Sequence, residues 1–258
     1  MKLQDCLGLS SREMICVVGA GGKTTLLFTL GKELFKCGKK VLLTTTTKIY
    51  VPDQQDIYTV VEPEDNIMKN PGILIGKEKT TVWGRDIYQM PGDKDKIVGV
   101  KKEVLDWLFI QNIIDYILIE ADGAKKKPIK APDEHEPCIP EKTTTVLGVI
   151  GIDAVGRTLN EDNFHRAGIF LKAKHYDLNY KIDVDMVASL IGWEKGLFKD
   201  VPSNARKLLI LNKVDNSERR NIAQEIARKV LMNESAVAPE KIIFSSFKEG
   251  KIKLEVFE

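Results

Sequence analysis

Residues 14–28 join a predicted strand to a predicted helix through a glycine-rich turn. The apolar run at residues 15–18 ends at Gly19-Ala20-Gly21-Gly22, and Lys23-Thr24-Thr25 begins the helical pattern. Glycines let the backbone fold so tightly that successive N–H groups face one anion, and a helix N-terminus adds partial positive charge. The segment therefore predicts a phosphate-binding loop at residues 19–25.

Lys23 and Thr24 carry the predicted chemistry of this loop. The Lys23 ammonium group can reach the outer phosphates of a nucleotide, and the Thr24 hydroxyl can bind the Mg²⁺ that accompanies them. The full phosphate-loop pattern has a glycine six residues before the lysine, but Val17 occupies that position. We therefore interpret the loop as a shortened variant. The alternative is an ordinary strand–turn–helix that binds no ligand.

Four consecutive threonines, residues 44–47, follow the apolar strand predicted at residues 41–43. In a parallel sheet the carboxyl ends of the strands face the ligand, so these hydroxyls are predicted to lie beside the phosphate loop. Thr46 and Thr47 are the candidate substrate-binding residues among them. The alternative is that threonine is present only because it suits strands.

A further apolar strand is predicted to end in two acids, Glu120 and Asp122, followed by Gly123. In phosphate-loop enzymes an acid at such a strand end orders the Mg²⁺ shell or the attacking water. Residues two apart in a strand point to the same face, which favours a shared metal role. The predicted catalytic residues are therefore Lys23, Glu120 and Asp122, and the predicted Mg²⁺ ligands are Thr24 and the two acids. The alternative is a solvated loop start.

Residues 124–140 contain four prolines and many charged side chains, so they cannot form a regular core element. The position of this stretch after Asp122 favours a functional loop over a mobile surface loop. Lys130 is a candidate contact for phosphate or an anionic substrate, and His135 and Glu136 are candidate metal or acid–base groups. From spacing alone, a solvated charge run is the stronger interpretation for most of these residues.

Asn212-Lys213-Val214-Asp215 follows the last strong apolar strand and matches the N-K-x-D pattern of guanine-nucleotide proteins. The Asp215 carboxylate can accept hydrogen bonds from the N1–H and 2-amino groups of guanine, a pairing that adenine does not offer. Asn212 can bind N7, and the stem of Lys213 can lie along the base. A wrong base leaves the carboxylate buried and unpaired, so the discrimination is large.

A serine-containing run at residues 245–250 follows one more predicted strand. It resembles the loop that closes over the guanine carbonyl in GTPases, and Ser245 and Ser246 are its candidate base-binding residues. Strand, tetrad, helix, strand and serine loop in this order favour GTP over ATP as the nucleotide, with Mg²⁺ as the metal cofactor.

The alternation of apolar runs with helical patterns predicts an α/β fold in which each motif lies just after a run. We expect a single P-loop NTPase-like domain over residues 1–258, with a doubly wound, mostly parallel sheet and helices on both faces. Turn signals divide residues 52–100. There we expect an insertion that carries substrate specificity, with short strands at residues 57–61 and 72–76.

Composition excludes several classes of partner. The 39 basic and 37 acidic side chains nearly cancel, so no global field draws the chain to nucleic acid or to a membrane. No apolar run approaches membrane-spanning length. The four cysteines form no C-x-x-C pair, which indicates reduced thiols in a cytoplasmic protein rather than a disulfide framework or a zinc site.

Together these motifs resemble the YqeC family over almost the whole chain, and residues 120–124 are the most specific part. The segments that carry the resemblance are Gly19-Ala20-Gly21-Gly22-Lys23-Thr24-Thr25, residues 44–47, Glu120-Ala121-Asp122-Gly123-Ala124, Lys130-Ala131-Pro132, His135-Glu136-Pro137, His165-Arg166 and Asn212-Lys213-Val214-Asp215. Members of the family are described as accessory proteins of selenium-dependent molybdenum hydroxylases. The resemblance implies a cytoplasmic nucleotide-binding protein that assists maturation of such a hydroxylase or its cofactor, with the hydroxylase or its cofactor-assembly proteins as partners. It also makes residues 130–137, His165 and Arg166 candidate substrate-binding residues.

Three functions fit the sequence. The first is a GTP-hydrolysing accessory protein whose nucleotide state drives delivery or modification of a selenium or molybdenum species. The second is an ATP-dependent ligase-like or kinase-like enzyme, because the short loop resembles that of Mur ligases. The third is a non-catalytic, nucleotide-sensing partner of the hydroxylase. Affinities for GTP and ATP analogues separate the first two, and steady nucleotide turnover separates either from the third.

Overall fold

A computed structural model describes residues 2–53, 57–76, 78–177, 180–233, 237–248 and 251–257 of the protein. Its α-helices are α1 (Leu3–Leu7), α2 (Lys23–Lys36), α3 (Glu64–Lys69), α4 (Lys102–Ile110), α5 (Ala167–Lys174), α6 (Val184–Gly192) and α7 (Ser217–Met232). Its strands are β1 (Glu13–Gly19), β2 (Val41–Thr45), β3 (Lys48–Tyr50), β4 (Ile57–Val61), β5 (Thr80–Gly84), β6 (Asp86–Tyr88), β7 (Lys96–Val98), β8 (Tyr116–Glu120), β9 (Ile129–Lys130), β10 (Thr145–Gly151), β11 (Phe164–His165), β12 (Arg206–Asn212), β13 (Lys241–Lys248) and β14 (Lys251–Phe257). None of the helices in the described ranges has the length and hydropathy needed to cross a membrane.

Nine strands form the main sheet, in the order β14-β13-β12-β10-β1-β8-β2-β5-β4. Every neighbouring pair is parallel except β13 and β14, which are antiparallel. Strands β1, β8 and β10 are buried along their whole length, as expected for parallel strands covered on both faces. The predicted α/β fold with a large, mostly parallel sheet is therefore confirmed.

Helices cover both faces of this sheet, because successive side chains of a strand point to opposite sides. Ile15 and Val17 of β1 belong to a buried cluster that includes residues of α1 and α2. Cys16 and Val18 belong to a second buried cluster, which includes residues of α4, α6 and α7. Since β1 lies between these layers, the turn after Gly19 is held at the carboxyl edge of the sheet.

Residues 52–100, where an insertion was expected, contribute to two different sheets. Strands β4 and β5 extend the main sheet at one edge, whereas β6 and β7 join β3 in a small antiparallel sheet. The predicted strand at residues 57–61 is confirmed as β4. The predicted strand at residues 72–76 is wrong, because Pro71 begins a 3₁₀ turn that ends at Leu74, and proline suits the first turn of a helix.

A short parallel pair, β9 with β11, lies outside both of these sheets. It places Lys130 beside His165 in register. Two segments that the sequence separates, the charged stretch at residues 124–140 and the residues around 165, are therefore neighbours in the fold.

Candidate functional site

The phosphate loop, residues 19–25, leaves β1 and turns into α2. Gly19, Gly21 and Gly22 have positive φ angles of 89°, 87° and 126°, which glycine adopts without steric cost. Space is equally restrictive at Gly21, where an added Cβ would lie 2.2 Å from the backbone nitrogen of Gly151. Both the turn and its close approach to β10 therefore require glycine.

The first three N–H groups of the loop donate to the protein itself. Gly19 N–H donates to Asp122 Oδ2 at 3.1 Å. Ala20 and Gly21 N–H donate to main-chain carbonyls of neighbouring segments, at 2.9 and 3.1 Å. These three residues therefore shape the loop, and their N–H groups are not available to a ligand.

The next four N–H groups, those of Gly22, Lys23, Thr24 and Thr25, have no acceptor within the described part of the chain. They form the first turn of α2, and Gly22, at the N-cap, has no side chain to satisfy them. Unpaired N–H groups and the helix dipole together favour an anion at this point. Of the seven residues in the predicted phosphate loop, these four are therefore the ones whose backbone N–H groups can donate to a phosphate.

Lys23 and Thr24 contact the acidic end of β8. The Lys23 side chain is 3% exposed, and its Nζ donates to the Gly19 carbonyl at 2.7 Å. The same Nζ lies 2.6 Å from Asp122 Oδ1 and 3.9 Å from Glu120 Oε1. Thr24 Oγ1 donates to Glu120 Oε2 at 2.8 Å. The structure thus brings the predicted ammonium, hydroxyl and carboxylate groups into direct contact.

The two acids nevertheless lie in different surroundings, although strand alternation predicted a common one. Glu120 is the last residue of β8 and lines the cleft in front of α2. Asp122, in the following loop, contacts Lys23, Lys130 and the Gly19 N–H. The alternation ends with the strand, so Glu120 lines the cleft, whereas Asp122 also holds the phosphate loop through the Gly19 N–H.

Burial raises the pKa of the Glu120 carboxyl above its ordinary value, and the Lys23 charge and the Thr24 hydrogen bond oppose this shift. Glu120 therefore loses its proton at a higher pH than an exposed glutamate does. A cation bound next to Glu120 would favour the ionised form.

A cleft of about 820 Å³ opens in front of the N-terminus of α2. Its walls are residues 20–25, residues 47–50, residues 123–127 and four further side chains, Lys96, Glu120, Glu136 and Lys213. A cleft of this volume lies within the range of small-molecule sites, roughly 300–1,000 Å³. The unpaired N–H groups of α2 therefore face a cavity that accommodates a ligand of nucleotide size.

Of the four consecutive threonines, Thr47 lines this cleft. The Thr44 and Thr45 hydroxyls donate to main-chain carbonyls of β5 and β8, at 2.8 and 2.7 Å. The Thr46 hydroxyl donates to a carbonyl in the 124–140 stretch at 2.9 Å. The expectation that all four hydroxyls face the phosphate loop is wrong, because neighbouring segments supply acceptors to three of them.

An ion chain continues from Asp122 through Lys130 and Glu136 to Arg166. Lys130 Nζ lies 2.9 Å from Asp122 Oδ2 and 2.6 Å from Glu136 Oε2. Arg166 donates to both Glu136 oxygens, and its Nε lies 3.3 Å from Asp133 Oδ2. Although burial alone would raise the pKa of Glu136, the hydrogen bonds from Arg166 and Lys130 lower it to about 2. The chain links the phosphate loop to Arg166 through charges of alternating sign.

His165 and His135, both candidates from the sequence, lie outside the lining of the cleft. His165 is buried beside Lys130. Burial, and then the positive charges of Arg166 and Lys130, lower its pKa to about 4, so it is neutral near pH 7. His135 is exposed at the surface of the loop.

Sequence reasoning missed Lys199, which holds the loop that carries Glu136. Its Nζ donates to the carbonyls of Asp133, Glu134 and Glu136 at 2.8, 2.6 and 2.9 Å. Three carbonyls converging on one ammonium group restrain the loop from outside the cleft. No local signal marks Lys199, because its partners are 63 to 66 residues away in the sequence.

The N-K-x-D tetrad follows β12 and touches the phosphate loop. Asn212 Nδ2 donates to the Gly21 carbonyl at 2.8 Å, and Ser245 Oγ donates to Asn212 Oδ1 at 3.0 Å. Lys213 lines the cleft, and its Nζ lies 3.0 Å from Asp153 Oδ1. The tetrad and the loop are therefore at the same end of the sheet.

Asp215 is engaged by neighbouring side chains. Its Oδ1 accepts from Ser246 Oγ at 2.7 Å, and its Oδ2 accepts from Arg219 at 2.8 Å. Asn216, and not Asp215, caps α7. Although burial alone would raise the pKa of Asp215, hydrogen bonds from Ser246 and Lys248 lower it. Asp215 is thus ionised near pH 7, and it lines a second cleft of about 360 Å³.

Ser245 and Ser246 lie in β13 and not in a loop. Strand β14 pairs with β13 through both residues, so the strand continues past the point where the sequence predicted the loop. The prediction of a serine loop is wrong for these two residues, because they pair with β14 in an antiparallel hairpin. Residues 249 and 250 of the same run lie outside the described residues.

The contacts above join residues 19–25, 120–136 and 165–166, which are distant in the sequence. A family model described as "YqeC protein" matches residues 15–168, a range that contains all three segments. The chain belongs to the YqeC family. A YqeC relative from Escherichia coli (strain K12), described as "Uncharacterized protein YqeC", is 34% identical over 213 residues, which cover 82% of this chain and 80% of the relative. The YqeC model match ends before Asn212, so the tetrad lies outside it.

Proposed function

We propose that this YqeC protein is a P-loop NTPase-like enzyme that binds a magnesium nucleoside triphosphate at the N-terminus of α2 and hydrolyses it. The observation that carries the proposal is that four N–H groups, from Gly22 to Thr25, line the cleft and have no acceptor among the residues that the structure describes. Lys23 adds a positive charge at the same place, and such groups stabilise the charge that develops on a transferred phosphoryl group.

Thr24 and Glu120 are the residues that would hold Mg²⁺. A hydroxyl and a carboxylate, with phosphate oxygens and water, are the oxygen ligands that Mg²⁺ prefers, and Thr24 Oγ1 already lies 2.8 Å from Glu120 Oε2. When bound, Mg²⁺ would neutralise phosphate charge. Asp122 is the poorer candidate, because Lys23, Lys130 and the Gly19 N–H engage its oxygens.

GTP is the nucleotide that we favour. The contact between Asn212 and Gly21 keeps the tetrad next to the phosphate loop. Asp215 is ionised near pH 7 and can accept two hydrogen bonds from guanine once it exchanges its present partners. A guanine nucleotide would then extend from the cleft in front of α2, past Lys213, to Asp215.

An ATP-dependent ligase-like or kinase-like activity is the second candidate. It is supported by the placement of Asp215 in a separate cleft and by the location of Ser245 and Ser246 in a strand. In that case the carboxylate of Asp215 would stabilise the turn before α7 and would not bind the base of the nucleotide.

The cellular role that we propose is maturation of a selenium-dependent molybdenum hydroxylase or its cofactor, in the cytoplasm. The resemblance to the YqeC family implies this role, and the nucleotide would drive or gate the step. A nucleotide-sensing protein without turnover would bind the same triphosphate and release no phosphate.

Equilibrium binding of non-hydrolysable GTP and ATP analogues, with Mg²⁺, tests the proposal. We expect the unmodified protein to bind the GTP analogue and Lys23→Met to lose at least about 10-fold in affinity, since one charge-assisted hydrogen bond contributes roughly 1.5–3 kcal/mol. Lys36→Met, at the exposed end of the same helix, is the matched control and should bind normally. No binding of either analogue by the unmodified protein would refute the proposal, and phosphate release under turnover separates an enzyme from a sensor.

A further inference from the structure

We propose that the cleft binds, beside the nucleotide, a small second substrate that carries a phosphate or pyrophosphate group. The groups that would recognise it are Lys48, Lys96, Lys125 and Lys126, which we call the lysine arm. The inference rests on the proposed function, because it names the class of molecule on which the nucleotide-dependent step acts.

The charge of the cleft is the first argument. Seven lysines and two glutamates line it. Lys23 and Lys213 have carboxylate partners, and Lys127 lies 3.7 Å from Asp162. Within the described ranges, by contrast, no side chain of the lysine arm has a carboxylate within 4 Å. Ammonium groups that have no carboxylate in direct contact, gathered in one concave site, attract an anionic ligand.

The arrangement around Tyr50 is the second argument. The Nζ atoms of Lys96 and Lys126 each lie 4.8 Å from the centre of the Tyr50 ring, so they are at most twice that distance apart. Attraction to the ring favours this placement without cancelling either charge. The Tyr50 hydroxyl donates to Asp93 at 3.0 Å, which holds the ring in place. Two ammonium groups are thus gathered at one ring and share the nearby Asp93 carboxylate, so a net positive charge remains there.

The backbone of the lysine turn is the third argument. Lys125 and Lys126 have φ angles of 45° and 60°. Residues other than glycine rarely adopt this left-handed backbone conformation, and those that do are concentrated at functional sites. The Gly21 N–H donates to the Lys127 carbonyl at 3.1 Å, so this turn is attached directly to the phosphate loop. Any group held by the arm would lie close to the outer phosphates of the nucleotide.

The nucleotide by itself does not need the lysine arm. Mg²⁺ and the roughly half charge at the helix N-terminus offset more than half of the about four negative charges of a triphosphate, and Lys23, which is paired with Asp122, adds part of a charge. The four ammonium groups of the lysine arm therefore exceed the charge that remains on the nucleotide, and they match a second anion. Phosphate groups suit lysine, which binds them as a point charge.

Binding of inorganic pyrophosphate to the protein saturated with a non-hydrolysable triphosphate, at constant free Mg²⁺, tests this inference. We expect binding of pyrophosphate with the nucleotide in place, and a loss of at least about 10-fold in pyrophosphate affinity in the double variant Lys96→Met, Lys126→Met. Nucleotide affinity should change less than about twofold. The control is the double variant Lys36→Met, Lys69→Met, which removes two exposed lysines elsewhere.

Two outcomes would overturn the inference: pyrophosphate that binds only by displacing the nucleotide, or a double variant that loses nucleotide affinity and keeps pyrophosphate affinity. Failure of the proposed function gives a different pattern. In that case the unmodified protein would bind no nucleotide, yet pyrophosphate binding would still depend on Lys96 and Lys126, which supports the lysine arm as an anion site.

Discussion

The side-chain amide of Asn212 donates a hydrogen bond to the main-chain carbonyl of Gly21, with 2.8 Å between nitrogen and oxygen. This contact joins the tetrad after β12 to the phosphate loop after β1, across the intervening strand β10. It leaves no room for a side chain at Gly22, where an added Cβ would lie 2.2 Å from Asn212 Nδ2. The shape of the phosphate loop therefore depends on a residue 191 positions later in the sequence.

Asn212→Ala should destabilise the protein and loosen the loop. The variant leaves the Gly21 carbonyl buried without its donor, which typically costs about 1–3 kcal/mol of unfolding free energy. Chemical denaturation measures this loss, and we also expect about 10-fold weaker nucleotide binding, since a loop held less rigidly must be ordered by its ligand. Ser245→Ala, which removes only the bond to Asn212 Oδ1, should cost less. Unchanged stability in Asn212→Ala would contradict the anchoring role.

Glu120→Gln should mainly reduce turnover, whereas Asp122→Asn should mainly reduce stability. We expect Glu120→Gln to reduce Mg²⁺-dependent turnover at least about 100-fold with little loss of stability, because it removes the carboxylate beside Thr24 that a metal needs. Asp122→Asn should reduce the unfolding free energy by about 3 kcal/mol or more, because it leaves two buried lysines without their shared carboxylate. Phosphate release and denaturation of both variants measure the two effects. Equal effects of the two variants on turnover and on stability would contradict the assignment.

Asp215→Asn should change the preferred base if the tetrad reads guanine. One acceptor becomes a donor, which suits xanthine, so the variant should lose GTP affinity and gain XTP affinity. The unmodified protein should prefer GTP over ATP by at least about 10-fold, since the pairing contains a charge-assisted hydrogen bond. Competition binding with GTP, ATP and XTP measures this, with Asp185→Asn, at an exposed ion pair with Lys229, as the control. Equal affinity for GTP and ATP would favour the ligase-like alternative.

His165 should make the protein sensitive to mild acid. Its pKa in the folded state, about 4, lies below the ordinary value near 6.5, so the folded state resists protonation. The stabilisation is fully present above pH 6.5 and is lost as the pH falls towards 4, to a limit of about 3 kcal/mol. Denaturation of His165→Gln from pH 7 to pH 4 should show a shallower loss than the unmodified protein. His135→Gln, at an exposed histidine, is the control, and a His165→Gln curve parallel to it would contradict the prediction.

The motifs that the structure places at the predicted strand ends are contiguous in the sequence. The loop at residues 19–25, the acid at the end of β8 and the tetrad after β12 all lie where apolar runs end. An apolar run reports a buried strand, and a parallel sheet collects the carboxyl ends of its strands at one edge. These two rules predicted the α/β fold and the location of the candidate site without any knowledge of long-range contacts.

Predictions that depended on a side chain's partner did less well. Thr44 and Thr45 were expected to face a ligand, but adjacent strands accept their hydrogen bonds. Ser245 and Ser246 were expected in a loop, but β14 extends β13 through them. In each case the hydrogen-bonding partner belongs to a different segment of the chain, and the local sequence contains no pattern that predicts it.

By itself, the sequence determined where the chain turns, which strands are buried and which polar groups follow them, because these features depend on residues that are close along the chain. Only the tertiary structure decided that Glu120 lines the cleft while Asp122, two residues later, anchors the loop. It also decided that Lys199 restrains the segment carrying Glu136. The physical reason is that hydrogen bonds and ion pairs form over about 3 Å, and distances of that size between separate segments are set by how the layers pack.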